Sequence, residues 1–190
     1  MPKKLCYATI WIFFVFISTF CDHGTDRKNN DTQLKAAATK SSTVSWDRSR
    51  TIAENIVLDS SYSIFAESLK ATDLYEMLSQ PGPFTVFAPS NSAFRALPEG
   101  SLESLMSERR NDLVNILSHH IVAGKLETKD IETYPKMKTL AGDELIASKR
   151  NDEMIINGVR ISARGTDVRN GIIYGADKLF FPKIQKPGAY

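Results

Sequence analysis

Along the chain, apolar residues change their spacing twice. The first 20 residues hold an apolar run, Leu5 to Phe20, behind Lys3 and Lys4. From residue 22 to about residue 50 there is no sustained period, only Asn, Asp, Thr, Ser and Lys with scattered apolar residues. From Thr51 the spacing becomes helical in short pieces: TIAENIVL, then SSYSIFAESLKA behind Ser60, then DLYEML with Asp73 and Glu76 spaced as a capping box. Gln80-Pro81-Gly82-Pro83 interrupts it, and the β-formers Phe84-Thr85-Val86-Phe87 predict a strand. Pro89-Ser90-Asn91 ends that strand with side-chain oxygens suited to cap the following helical turn, SAFRAL, and another short helix begins at Ser101. In NDLVNILSHHIV, Leu113, Ile116, Leu117 and His120 fall at i, i+3, i+4 and i+7, so His120 is expected on the apolar face and His119 at the surface.

Beyond Gly124 the period falls to two. MKTLAG, ELIAS, EMIING, VRISA and GIIYGADKLFFP are short β-type runs separated by turn residues, with Gly165, Gly171 and Gly175 read as turn or bulge positions. Helices first and strands later predict an α+β domain, its helices covering a small antiparallel sheet or sandwich. The expected organisation is a leader over 1–21, a flexible polar tether over 22–50, the domain over 51–183 and a short tail over 184–190. A disordered tether of that length reaches roughly 30 Å. Trp46 is the one tether residue suited to dock on the domain.

The leader has the basic start and apolar stretch of an export signal, and the run is short for a permanent span. Three fates are compatible with it: ordinary cleavage, an uncleaved anchor, or lipidation of Cys21, which stands directly after the apolar run. The expected location is therefore outside the cytoplasm, at the cell surface or in the periplasm, membrane-anchored through a lipidated Cys21 or secreted. Asn30-Asp31-Thr32 forms a glycosylation sequon.

Charge narrows the partner. The formal net charge is +2, and without Lys3 and Lys4 it is +2 − 2 = 0, which argues against nucleic acid because phosphate binding needs clustered cations. Both cysteines, Cys6 and Cys21, lie in the leader region, leaving the domain without a disulfide, a thiolate metal site or a cysteine nucleophile. His119 and His120 are adjacent on a helix and point about 100° apart, so they do not converge on one metal ion. Asp130, Glu132 and Asp143 read as surface charges, and Phe84, Phe87, Phe94, Phe180 and Phe181 chiefly as core. No nucleophile elbow, phosphate loop or zinc-protease helix occurs, so no enzyme, cofactor or metal is expected.

Three ordered segments carry a resemblance. Gly82 to Phe94 (GPFTVFAPSNSAF), His120 to Gly124 (HIVAG) and Asn170 to Asp177 (NGIIYGAD), closed by Leu179-Phe180-Phe181-Pro182, resemble the boxes of the fasciclin family over about Thr51 to Pro182. The resemblance implies a compact wedge, a small β-sandwich with several short helices around it, that serves as a module for adhesion. It also implies a motif of structural residues: Phe84, Thr85, Phe87, Pro89, Phe94, His120, Asn170, Gly171 and Asp177. In some members an Asp-Ile pair upstream of the second box is linked to integrin adhesion, and Asp167-Val168 is the nearest match, which makes these two the candidate binding residues. Three positions depart from the pattern: His119 for a Tyr, Tyr174 for a His and Gly175 for an apolar residue. The expected role is an extracellular or cell-envelope binding module contacting protein or polysaccharide. A carrier of a small apolar ligand is the alternative, and a hydrolase comes third.

Overall fold

The computed structural model describes residues 46–162 and 164–182. The leader with Cys6 and Cys21, the sequon at Asn30 and the tail over 184–190 lie outside the described residues. Among the described residues no helix is long and apolar enough to cross a membrane.

Helices come first: α1 (Ile52–Leu58), a 3-10 turn (Ser60–Tyr62), α2 (Ser63–Lys70), α3 (Leu74–Ser79), strand β1 (Phe84–Pro89), then α4 (Asn91–Arg95), α5 (Ser101–Ser107) and α6 (Arg110–Ser118). After them come β2 (Ile121–Ala123), α7 (Thr128–Thr133), β3 (Lys136–Lys138), β4 (Glu144–Arg150), β5 (Glu153–Ile156), β6 (Val159–Ile161), β7 (Thr166–Val168) and β8 (Gly171–Ala176). The class is α+β, as the spacing predicts. Three elements had no counterpart in that reading: β2, β7 and α7.

The strands form one sheet in the order β2-β1-β8-β6-β5-β4-β3, with β7 also paired to β8. Its centre departs from the expected all-antiparallel arrangement, because β1 and β8 run parallel over Phe84↔Gly171 to Pro89↔Ala176. The two ends of the sheet approach one another at a single bridge, Val122↔Thr139, so the sheet curls on itself.

Two cores result, and strand alternation divides the side chains between them. Val86, Ala88, Ile121 and Ile173 face the helices, packing with Ile52, Ile56, Phe65, Leu69, Leu113 and Leu117. Phe87, Val122, Ile172, Tyr174 and Ala176 face inward with Ile131, Leu145, Met154, Ile156 and Phe180. Each large side chain buried in this way contributes about 1.5–3 kcal/mol. Of the five phenylalanines expected in the core, Phe87, Phe94 and Phe180 are buried; Phe84 is half-buried, and Phe181 is exposed because it follows the last strand with its side chain turned outward.

Local chemistry explains several differences from the expected caps. Asp73 makes no side-chain cap bond, and the true capping box of the first helix is Thr51 with Glu54. Ser90 does not cap α4 through its side chain. Asn91 instead accepts from the Ile64 N-H at 3.0 Å and donates to Ser60 O at 2.8 Å, so it ties the start of α2 to the end of β1. The stretch Trp46–Arg50, expected as tether, belongs to the folded body. Its backbone is gripped by buried Asn55, which accepts from Asp47 N at 2.7 Å and donates to Asp47 O at 2.9 Å, while the Trp46 ring packs 5.3 Å from that of Tyr62.

Candidate functional site

Asn170 is the joint between the two halves of the domain. It is buried, its Oδ1 accepts from Ile52 N-H at 2.8 Å, and its Nδ2 donates to Leu78 O at 2.7 Å and Gln80 O at 2.8 Å. Its own carbonyl accepts from Phe84 N-H at 3.0 Å. One side chain thereby satisfies an unpaired donor at the start of α1 and unpaired acceptors at the end of α3. Next to it the backbones of β1 and β8 lie very close, since a Cβ on Gly171 would fall 1.9 Å from Phe84 O and one on Gly82 would fall 2.1 Å from Asn170 O. Thr85 is a second joint: Oγ1 donates to Gly124 O at 2.7 Å and accepts from Leu126 N-H at 2.9 Å.

His120 lies fully buried between the two cores. Phe180 N-H donates to Nε2 at 2.9 Å, which places the proton on Nδ1, and Nδ1 donates to Ile116 O at 2.8 Å. Burial lowers its pKa to about 4, opposed in part by the bond to Ile116 and assisted by the neighbouring His119. His119 corrects the expectation of a surface residue: it is 3% exposed, with Nδ1 2.7 Å from Asn115 O and Nε2 2.5 Å from Asp143 Oδ2. Asp143 is accordingly half-exposed and committed to a contact instead of being a free surface charge. Neither ring has a nitrogen left to serve as a base. Among the described residues no group of three or more His, Cys, Asp or Glu could hold a metal ion.

Tyr174, in the place of a frequent His, is fully buried, stacked on Phe87 at 5.5 Å with its hydroxyl donating to Leu126 O at 2.9 Å. Pro89 and Phe94 are buried, and Phe94 packs 6.5 Å from Phe65. Asp177 is exposed and is held through its backbone, its N-H donating to Arg160 O. At Gly175 a Cβ would come 2.8 Å from the Tyr62 hydroxyl, and at Gly165 one would meet the Ile172 and Tyr174 side chains, so these glycines are placed by crowding more than by turns.

The candidate binding pair sits on β7, beside this joint. Asp167 is half-exposed, with Lys125 Nζ 3.0 Å away, and Val168 is buried in the helical core. Of the two, only Asp167 offers a side chain to a partner. Its ion-pair partner Lys125 and its neighbour Val168 line a cleft of about 550 Å³, together with Gln80, Pro81 and Arg169. Lys125, Gln80 and Arg169 were not singled out in the sequence, and nothing in their spacing marks them, since three separate loops bring them together.

A second opening, about 260 Å³, lies between α7 and β4. Its lining includes Ile131, Pro135, Ala147 and Met154, and Lys149 stands at its edge, paired with Glu132 at 3.3 Å and Asp152 at 3.7 Å.

A curled sheet with helices on one face and a buried histidine with both nitrogens engaged define an α+β domain. The chain belongs to the fasciclin family: the Fasciclin domain model matches residues 60–182. Protein sll1483 of Synechocystis is 36% identical over 139 residues, which are 73% of this chain and 77% of that protein. The cell surface glycolipoprotein MPB83 of Mycobacterium bovis is 30% identical over 104 residues, 55% of this chain and 46% of that protein. Among solved structures, a domain pair from the insect cell adhesion molecule fasciclin I superposes with a TM-score of 0.64 at 15% identity, covering 70% of this chain and 51% of that one. The chain thus spans about half the length of MPB83 and of that domain pair.

Proposed function

We propose that this protein is an exported binding module of the cell envelope or extracellular space, which holds protein or polysaccharide partners by surface complementarity and carries out no chemistry. The observation that carries this reading is the placement of Asp167: a half-exposed carboxylate on a short strand, beside a cleft of about 550 Å³ built from three loops and backed by the Asn170 joint. A site of this kind needs a rigid platform and a polar rim, and the hydrogen bonds of Asn170 and Thr85 supply the platform. The cell-surface relative supports the location, with Cys21 as the anchoring candidate; the mass of the mature N-terminus from native membranes tests it. For function, the test is binding of the purified protein to matrix proteins, glycans and cells. Binding that weakens in Asp167→Ala while the fold is kept supports the reading, whereas turnover in a hydrolase panel without any binding refutes it.

One observation favours a second reading, that of a small apolar ligand carrier: the cleft between α7 and β4 has Ile131, Pro135, Ala147 and Met154 in its wall. Native mass spectrometry of protein from its source decides this, since a carrier brings a stoichiometric ligand with it.

A further inference from the structure

The sheet curls but does not close. Antiparallel ladders bond alternate residues to each neighbour. On β3, Pro135 O accepts from Ala147 N-H at 2.7 Å and Thr139 N-H donates to Asp143 O at 2.9 Å, so residues 135, 137 and 139 turn their backbone groups to β4. Lys136 and Lys138 turn theirs to the opposite edge. Towards β2 that edge is engaged only around the isolated bridge Val122↔Thr139, beside which Leu140 N-H donates to Ile121 O at 2.8 Å. Past this point Gly124, at a φ of 105°, bends the chain away from β3. The result is a fork, about 380 Å³ in volume, with Val122, Leu126 and Met137 in its wall, and with Asp130, whose carboxylate accepts from the Glu127 N-H at 2.9 Å, also in its lining. At its open end the backbone groups of Lys136 point away from β4, beyond the single bridge to β2.

The side chains around the fork define what fits it. Tyr134, Lys136 and Lys138 alternate with Pro135 and Met137 and stand outward; all three are exposed, and Tyr134 is 73% so. Lys125, Lys129 and Lys149 each have a carboxylate partner, whereas Lys136 and Lys138 have none among the described residues. Lysines on a strand edge deter an identical edge, because like charges then face each other across the new ladder. They do not deter a strand bearing carboxylates. An added strand would also alternate, turning every second side chain towards Met137 and the others beside the lysines.

We propose that the fork between β2 and β3 receives an extended acidic peptide segment of another protein, added as a short strand along β3. Its backbone bonds to the N-H and C=O of Lys136, its apolar residues pack on the half-buried Leu126, and its carboxylates pair with Lys136 and Lys138. This names a partner class for the binding module and rests on that reading for its setting.

The test uses the full chain and an end-blocked hexapeptide alternating Glu and Val, followed by calorimetry and by amide hydrogen exchange. The expected result is saturable binding, slowed exchange of the Lys136 amide, and loss of binding when the peptide backbone is N-methylated. Lys136→Glu with Lys138→Glu should weaken binding at least about tenfold and transfer the preference to a Lys/Val peptide. Both residues are exposed, so this variant is expected to fold, which circular dichroism checks. Unchanged exchange at Lys136 under saturating peptide overturns the proposal, as does equal binding of a Ser/Val peptide. Polygalacturonate that binds at the same residues as tightly as the peptide also overturns it, in favour of an acidic polysaccharide. The two readings separate cleanly: cell or matrix binding that survives the double lysine variant removes this site and leaves the adhesion reading standing. Peptide binding at β3 without any matrix binding does the reverse.

Discussion

Lowering the pH should weaken this fold well before its carboxylates protonate, because of His120. In the folded chain its pKa is lowered to about 4 from an ordinary 6.5, burial being the main cause. Above pH 6.5 the ring is neutral folded or unfolded, and it contributes no pH dependence. Between 6.5 and 4 the unfolded chain takes up a proton that the folded chain refuses, so the unfolded state gains and stability falls as the pH falls. Below about 4 both states are protonated and the loss is complete. The gap corresponds to about 3 kcal/mol in all, of which about 2 kcal/mol is already lost at pH 5. For a domain with a marginal stability of about 5–15 kcal/mol this is a large part. Urea unfolding at pH 7.5, 6 and 5 measures the loss, and NMR of the ring carbon protons shows whether His120 is the group responsible. Glu54 and Asp47, whose pKa values are also lowered, chiefly by backbone hydrogen bonds to Thr51 and Ser49, add a loss of the same sign only at more acid pH. A His120 ring that titrates above pH 6 while the protein is folded, or an unfolding free energy that is flat from pH 7.5 to 5, would refute the reasoning.

Other perturbations probe the joints. Asn170→Ala leaves Ile52 N-H, Leu78 O and Gln80 O without their partner and should cost about 3–5 kcal/mol, read as a lower urea midpoint with an unchanged slope. Gly171→Ala pushes a methyl group into Phe84 O and should cost more than about 2 kcal/mol, or prevent folding; a cost under about 0.5 kcal/mol in thermal melts would contradict the crowding described for β1 and β8. Tyr174→Phe removes the bond to Leu126 O but keeps the stack on Phe87, so a loss of about 1 kcal/mol is expected. Asp167→Ala breaks an exposed ion pair and should change stability by less than about 1 kcal/mol, which lets any loss of partner binding be assigned to the surface.

Much of the fold was legible in the sequence because it depends on local repetition. The apolar faces of α1, α2 and α6, the position of His120 and the strands β1, β4, β5, β6 and β8 all follow from spacings within a few residues. Two capping boxes emerge only in the structure, Thr51 with Glu54 at the start of α1 and Glu127 with Asp130 at the start of α7. The sequence could not show that Asp73 stays uncapped, because a box is a spacing and its hydrogen bonds are a geometry. β2 and β7 are three residues each, too short for alternation to appear, and they are strands only because β1 and β8 lie alongside them.

The candidate site divides in the same way. The sequence by itself determined the family, the α+β class and the apolar leader, and it offered Asp167 and Asn170 as candidates through the resemblance. Only the tertiary structure decided that His119 is buried against Asp143, that Val168 faces inward while Asp167 faces Lys125, and that Lys136 turns its backbone groups away from β4. The reason is physical: these rest on contacts between segments apart in the chain, such as the 24 residues separating His119 from Asp143. A local period tells which face of an element is apolar. What lies opposite that face is fixed only once the sheet has curled.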